Sequence, residues 1–357
     1  MRSGIINTYK EMYDVLDGES VITLQEGNTP LLLAENISRM LGKVNVYLKY
    51  EGLNPTGSFK DRGMTMAVTK AVQSGSKAII CASTGNTSAS AAAYAAKANI
   101  KCFVLIPNNK IAVGKLAQAI MYGATILPVE GNFDDALRLV RDIAEEGRVT
   151  LVNSVNPHRL LGQRSGAYEV CDQLEKKELD YLSIPVGNAG NISAYWAGFN
   201  DYYRIGKIKK LPKMLGFQAE GAAPIVENSI VENPETVATA IRIGNPASWD
   251  KAVAARNESK GAVEKVTDQE ILEAQRLLAS MEGIFVEPAS AASLAGVIKL
   301  AKEDYFPSGS NIVCILTGNG LKDTEIVTSN NKLKPYSVNI KEIKEAIYRS
   351  LGGNGND

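Results

Sequence analysis

From about residue 77 onward, short apolar runs alternate with stretches in which hydrophobic positions recur at helical spacing. The runs Lys77–Ala82, Lys101–Ile106, Thr125–Val129, Val149–Asn153, Tyr181–Val186, Met214–Ala219 and Asn311–Thr317 predict strands. Between them, Thr87–Lys97, Val113–Tyr122, Asp134–Glu146, Ile192–Gly206, Asp268–Met281 and Pro288–Lys302 predict helices. Strands that alternate with helices of this length predict parallel-rich α/β sheets flanked by helices. Ligands then belong at the loops that follow the C-terminal ends of the strands. The region from Gly221 to Lys265 has weaker periodicity and reads as long excursions. The terminal GGNGND should fray. No Pro- or Ser-rich linker marks a boundary, so two lobes sharing one cleft are expected.

Composition narrows the function classes. A chain of 357 residues suggests roughly two domains at about 150 residues each. Lys+Arg and Asp+Glu both number 39, and that balance gives no reason to expect a nucleic-acid partner. Cys81, Cys102, Cys171 and Cys314 are scattered without a C-x-x-C pair, which fits core thiols in a reducing compartment. The N-terminal segment lacks the apolar core of a signal peptide. The small-residue run Ala89–Ala98 contains Ser90, Tyr94 and Lys97 and is too short to span a bilayer. A cytoplasmic protein with no membrane partner is expected. His158 is the single histidine, so an H-E-x-x-H zinc site is excluded and no metal is expected. No G-x-S-x-G elbow supports a serine nucleophile either.

The chemistry is written in four polar loops. Gly187, Asn188, Ala189, Gly190 and Asn191 follow a strand and precede a helix, where backbone N–H groups can close around an anion. Neither a P-loop nor a G-x-G-x-x-G is present, and an ordinary strand-to-helix turn is the competing reading. Ser83, Thr84, Gly85, Asn86, Thr87 and Ser88 gather hydroxyls and an amide that suit a carboxylate or a phenolate, though such residues also cap helices. Leu316 to Gly320 forms a third loop with the same ambiguity. In the fourth, Asn54 to Gly63, Lys60 follows a turn rich in Pro, Gly and Ser and begins a helix. The positive helix terminus disfavours an ammonium there and exposes the neutral amine a Schiff base needs.

Taken together, SFKDRG, STGNTSAS, GNAGN and LTGNG resemble the fold type II pyridoxal-phosphate enzymes, a family that includes dehydratases and cysteine synthase. The segments Gly27–Leu31, Ser58–Met64, Asn153–Arg159 and Glu287–Ala292 look most like its threonine synthase branch. The similarity runs from about Glu26 to Asp323. It implies pyridoxal 5′-phosphate in an interlobe cleft, with Lys60 as the Schiff-base lysine and Asn86 on the 3′-oxygen. It further implies Gly187–Asn191 on the cofactor phosphate, with Thr317 facing the pyridine nitrogen. Ser83, Thr84 and Thr87 resemble donors to the substrate carboxylate, and Asn153, Ser154 and Arg159 the site for the substrate phosphate. The implied substrate is O-phospho-L-homoserine, converted with water to L-threonine and phosphate by a homodimer. Residues 1–45 with 160–357 would form a larger lobe, and 46–159 a smaller one.

Two other functions fit some of these residues. A threonine or serine dehydratase would keep the cofactor set but bind no γ-phosphate. A non-catalytic phosphate-binding α/β protein would keep the glycine loops and leave Lys60 incidental. For Arg159 the alternative is a helix-start residue paired with a surface carboxylate.

Overall fold

The apolar runs become the strands of two sheets. The computed structural model of the chain describes residues 3–13, 20–108, 113–131, 133–175, 177–326 and 339–350, so the terminal GGNGND lies outside the described residues. The strands are β1 Leu31–Leu33, β2 Asn45–Tyr50, β3 Ala78–Ala82, β4 Lys101–Pro107, β5 Thr125–Val129, β6 Thr150–Leu151, β7 Tyr181–Pro185, β8 Lys213–Ala219, β9 Ala262–Val266 and β10 Asn311–Leu316. Residues 1–323 form one compact unit. Residues 324–357 form a second, in which Ile343–Ser350 is helical.

Six strands lie in the order β1-β2-β10-β7-β8-β9 and four in the order β5-β4-β3-β6. Among the described residues, every strand pairing is parallel except β1 with β2. Parallel strands need helical cover on both faces, which is why their sequences are apolar without alternation. In β10, Ile312, Cys314 and Leu316 enter a core with helices Asp268–Glu282 and Pro288–Lys302. Val313 and Ile315, on the opposite face, enter a core with helices Ser165–Leu174 and Gly190–Arg204. The smaller sheet packs Ile79, Cys81 and Val104 against helices Lys60–Gln73 and Asn86–Ala98. On its other face, Ile80 and Leu105 meet helix Phe133–Glu145.

Three strands escape the sequence pattern. β1 is three residues long, and β9 crosses the weakly periodic region with Glu264 and Lys265 in its middle. β2 carries Lys49, which reads as a surface charge but is fully buried. It pairs with β10 in the larger sheet, so a lobe boundary at residue 46 would cut it from its neighbour. The strand expected over Val149–Asn153 shortens to β6 because side chains take over its pairing. Asn153 Oδ1 accepts from the Ala82 N–H and Nδ2 donates to the Ala82 carbonyl, both at 3.0 Å.

Lys49 belongs to a buried ionic cluster that anchors helix Lys60–Gln73. Arg62 donates to both oxygens of Glu51 at 2.6 and 2.8 Å, and to both oxygens of Glu169 at 2.8 and 2.6 Å. Lys49 Nζ donates to Glu169 Oε2, the Thr29 carbonyl and Gln173 Oε1, each at 2.7 Å. Burial alone would raise the Glu169 pKa, but Arg62 and Lys49 outweigh it and bring the carboxyl to about 2.

Two glycines let this helix touch helix Pro157–Gln163 backbone to backbone. A Cβ on Gly162 would lie 2.1 Å from the Arg62 carbonyl oxygen, and one on Gly63 would lie 2.9 Å from that of Arg159. Because both obstacles are main chain, Gly162→Ala must push the helices apart, at about 1–3 kcal/mol by the usual scale of overpacking. Urea unfolding should show that loss. The same shift would move Arg159 relative to Lys60.

Candidate active site

The loops after β2, β3, β6, β7 and β10 all leave the C-terminal ends of parallel strands, the position α/β sheets reserve for ligands. Two of them are joined by main chain. Phe59 N–H donates to the Thr317 carbonyl at 3.0 Å, Asn319 N–H donates to the Gly57 carbonyl at 2.9 Å, and Ser58 bridges Gly318.

Lys60 is the first residue of its helix, and its Nζ lies 4.2 Å from the centroid of the Phe59 ring. Its pKa is lowered to about 7, first by burial and then by the positive charge of Arg159, with Glu287 opposing both. The neutral amine expected from a helix terminus is therefore present, but desolvation and a neighbouring guanidinium account for it. Arg159 lies in helix Pro157–Gln163 and is 1% exposed. Its Nη1 donates to the Val152 carbonyl at 3.2 Å, while its Nε has no partner. No carboxylate pairs with it among the described residues, which removes the surface ion pair as an explanation. Burial pulls the guanidinium down to about 10, which still leaves it cationic at neutral pH. A buried cation without a counter-charge calls for an anionic ligand.

The other expected residues divide by how much of their bonding capacity the protein already uses. Asn86 begins helix Asn86–Ala98 and its Nδ2 donates to both oxygens of Glu287, at 3.1 and 2.9 Å. Ser83 Oγ accepts from the Gly85 N–H at 3.2 Å. The Thr84 and Thr87 hydroxyls are half-buried and make no hydrogen bond among the described residues, so both can serve a ligand. Ser154 is also half-buried. Asn153 differs: its amide is engaged at both ends by Ala82, leaving one N–H for anything else. Thr317 Oγ1 lies 2.9 Å from Ser290 Oγ, which itself accepts from the Gly318 N–H at 2.7 Å. Sequence reasoning missed Ser290 and Glu287. Both lie in the Glu287–Ala292 segment, where a glutamate before proline reads only as the start of a helix.

The loop after β7 fits a phosphate. Asn191 is buried, yet neither of its amide atoms has a partner. Ala189 adopts φ 61°, turning the chain into the N-terminus of helix Gly190–Arg204. A Cβ on Gly187 would come within 3.0 Å of the Ile241 Cα, so the backbone lies bare against its neighbour. Asn188 fixes the far side, its carbonyl accepting from the Ser248 N–H at 3.1 Å. Bare backbone, a helix N-terminus and an unpaired buried amide are what a bound phosphate monoester uses. Together with an amine near neutrality, these residues suit pyridoxal phosphate.

A family of pyridoxal-phosphate dependent enzymes matches residues 22–318, and the chain belongs to that family. Pyridoxal phosphate is accordingly its cofactor. The chain is 55% identical over 352 residues to a threonine synthase of Synechocystis sp., covering 98% of this chain and 91% of that one. It is 57% identical over 349 residues to a threonine synthase of a Bacillus species, covering 97% and 98%. Among solved structures, maize serine racemase superposes with a TM-score of 0.72 at 21% identity, over 99% of both chains. This last likeness concerns the fold, which is that of fold type II.

Proposed function

We propose that the chain converts O-phospho-L-homoserine and water to L-threonine and phosphate, the activity of the threonine synthases it resembles. The observation that carries this reading is Arg159, a buried guanidinium with no ion pair among the described residues, beside a lysine of lowered pKa. A dehydratase has no γ-phosphate for such a cation to hold. A non-catalytic phosphate binder has no use for a lysine whose amine is half neutral near pH 7.

When bound, pyridoxal phosphate supplies the electron sink that makes the carbon–hydrogen bonds of a substrate amino acid acidic. Lys60 is read as the anchoring lysine and as the base, able to take and return a proton because its pKa lies near 7. Gly187, Asn188, Ala189, Gly190 and Asn191 would hold the cofactor phosphate, Asn86 would serve the 3′-oxygen and Thr317 the ring nitrogen. A hydroxyl at that nitrogen is a weaker partner than a carboxylate and would leave it largely unprotonated. Ser83, Thr84 and Thr87 bind the substrate carboxylate. Arg159 grips the substrate phosphate with Ser154 beside it, while Asn153 contributes chiefly by tying β6 to β3. The two sheets serve as cores of a smaller lobe ending at Arg159 and a larger lobe holding the other residues up to Asp323, with β2 in the larger.

The expected setting is the cytoplasm and the expected assembly a homodimer. The four free cysteines support the first, and sedimentation would check the second. Among the described residues, no helix is long and apolar enough to cross a membrane.

The test is steady-state kinetics of Arg159→Ala on O-phospho-L-homoserine and, separately, on L-serine or L-threonine. Removing one partner of a buried charge pair costs about 2–5 kcal/mol, so kcat/KM for the phosphorylated substrate should fall roughly 30- to 5,000-fold. Any slow deamination should largely survive. Equal losses on both substrates would make Arg159 structural. Robust wild-type deamination without threonine formation would make the protein a dehydratase.

A further inference from the structure

Glu287 has no part in the function derived so far, yet it stands among the groups that carry it. It precedes helix Pro288–Lys302, and its N–H donates to the Gly318 carbonyl at 3.1 Å, which fixes it against the loop of Thr317. Its side chain runs across Gly318, where an added Cβ would lie 2.5 Å from the carboxylate. Both carboxylate oxygens meet Asn86 Nδ2. The charged groups facing it are Lys322 and Lys60, which favour its ionised form, and Asp323, which opposes it. Burial raises its pKa above the ordinary carboxylate range. Lys322 is held in place by the Thr56 carbonyl at 3.0 Å and by Gln118 Oε1.

An ionised carboxylate only accepts hydrogen bonds, so it dictates which end of a neighbouring amide turns toward it. With Nδ2 facing Glu287, the second N–H on the same nitrogen remains for another acceptor and Oδ1 turns away. A neutral group at position 287 could pair with either end of the amide and would lose this selection. The same negative charge also raises the proton affinity of Lys60, against burial and Arg159.

We propose that Glu287 is a positioning residue: through Asn86 it presents an N–H to the cofactor's 3′-oxygen. This rests on the reading that Lys60 and Asn86 meet pyridoxal phosphate. Two measurements on the purified protein test it. One is the pH titration of the visible absorbance of the bound cofactor. The other is equilibrium binding of pyridoxal phosphate to the apoprotein. In E287Q the protonation midpoint should fall by about one pH unit or more, the usual effect of losing a nearby opposite charge. Affinity should fall by about tenfold, the equivalent of one weakened hydrogen bond. E287D keeps the charge and should restore the midpoint while remaining weaker in affinity. Should E287Q not fold, E287A carries the same expectation, because it removes the charge without asking the pocket for a new hydrogen bond. An unchanged affinity or midpoint in E287Q or E287A, or E287D shifted as far as E287Q, overturns the inference alone. A wild-type protein whose bound cofactor is not linked to Lys60 overturns the reading beneath it as well.

Discussion

Lys60→Ala should abolish threonine formation, with kcat/KM falling by about 10⁴-fold or more. On the roles proposed for Lys60, both an anchoring nucleophile and a general base are lost, and general acid–base catalysis alone is worth about 10²–10⁴. The loss should far exceed any effect on unfolding, since the Lys60 amine makes no ion pair among the described residues. In the wild type, borohydride reduction and peptide mapping should find a pyridoxyl group on Lys60, and a label on another lysine would refute the assignment. The pH dependence has a definite sign. Because the Lys60 pKa is lowered to about 7, the fraction of reactive neutral amine rises through neutrality. Uptake of pyridoxal phosphate by the apoprotein should therefore climb through pH 7 and level off, well before the range of an ordinary lysine. Removing the charge of Arg159 takes away one cause of the lowering, so in Arg159→Ala that climb should move to higher pH.

The second large effect is on stability. Arg62 is fully buried and is the common partner of Glu51 and Glu169. In Arg62→Met, Lys49 pairs directly only with Glu169 and acts on Glu51 from a distance, which leaves the Glu51 carboxylate buried without a direct ion pair. Breaking a buried pair in this way costs about 3–5 kcal/mol, a large share of the roughly 5–15 kcal/mol that holds a typical protein together. Urea unfolding at neutral pH should show it. Glu51 and Glu169 both have folded pKa values below the ordinary range, Glu169 at about 2. Their contribution is thus present above the ordinary glutamate pKa and lost as pH falls toward about 2. In the variant these carboxyls take up protons more readily. The gap between wild type and variant should close in acid, and a gap that widens there would mean that Arg62 stabilises by packing instead.

The fold was legible wherever burial leaves an apolar run. The parallel strands at Thr125–Val129 and Tyr181–Pro185 and the helix Pro288–Lys302 stand where periodicity puts them. It was illegible where charge goes inside. Lys49, Glu51, Arg62 and Glu169 are ordinary surface letters in a sequence, and only the folded chain brings residues 49 and 169 to 2.7 Å. The site follows the same rule. Gly187–Asn191, Asn86 and Lys60 announce themselves by loop chemistry between a strand and a helix. Arg159 stood out by residue type, but its lack of a counter-charge is a property of three-dimensional surroundings. Asn153 reads as a phosphate donor in sequence and turns out to be engaged by Ala82, because nothing local reveals where β3 ends. Glu287 had a readable address but no readable partner, since Asn86 is 201 residues away.

The hydrogen bonds that join the turn of Lys60 to the loop of Thr317 are made by main-chain atoms at Gly57, Phe59, Thr317 and Asn319. Backbone carries no record of which side chain hangs from it, apart from proline, which would remove the N–H at 59 or 319. The spacing between the turn of Lys60 and the loop of Thr317 is therefore insulated from mutational drift. Side chains around it can be exchanged over long divergence, and the reaction redirected, while the spacing of the two loops is inherited intact.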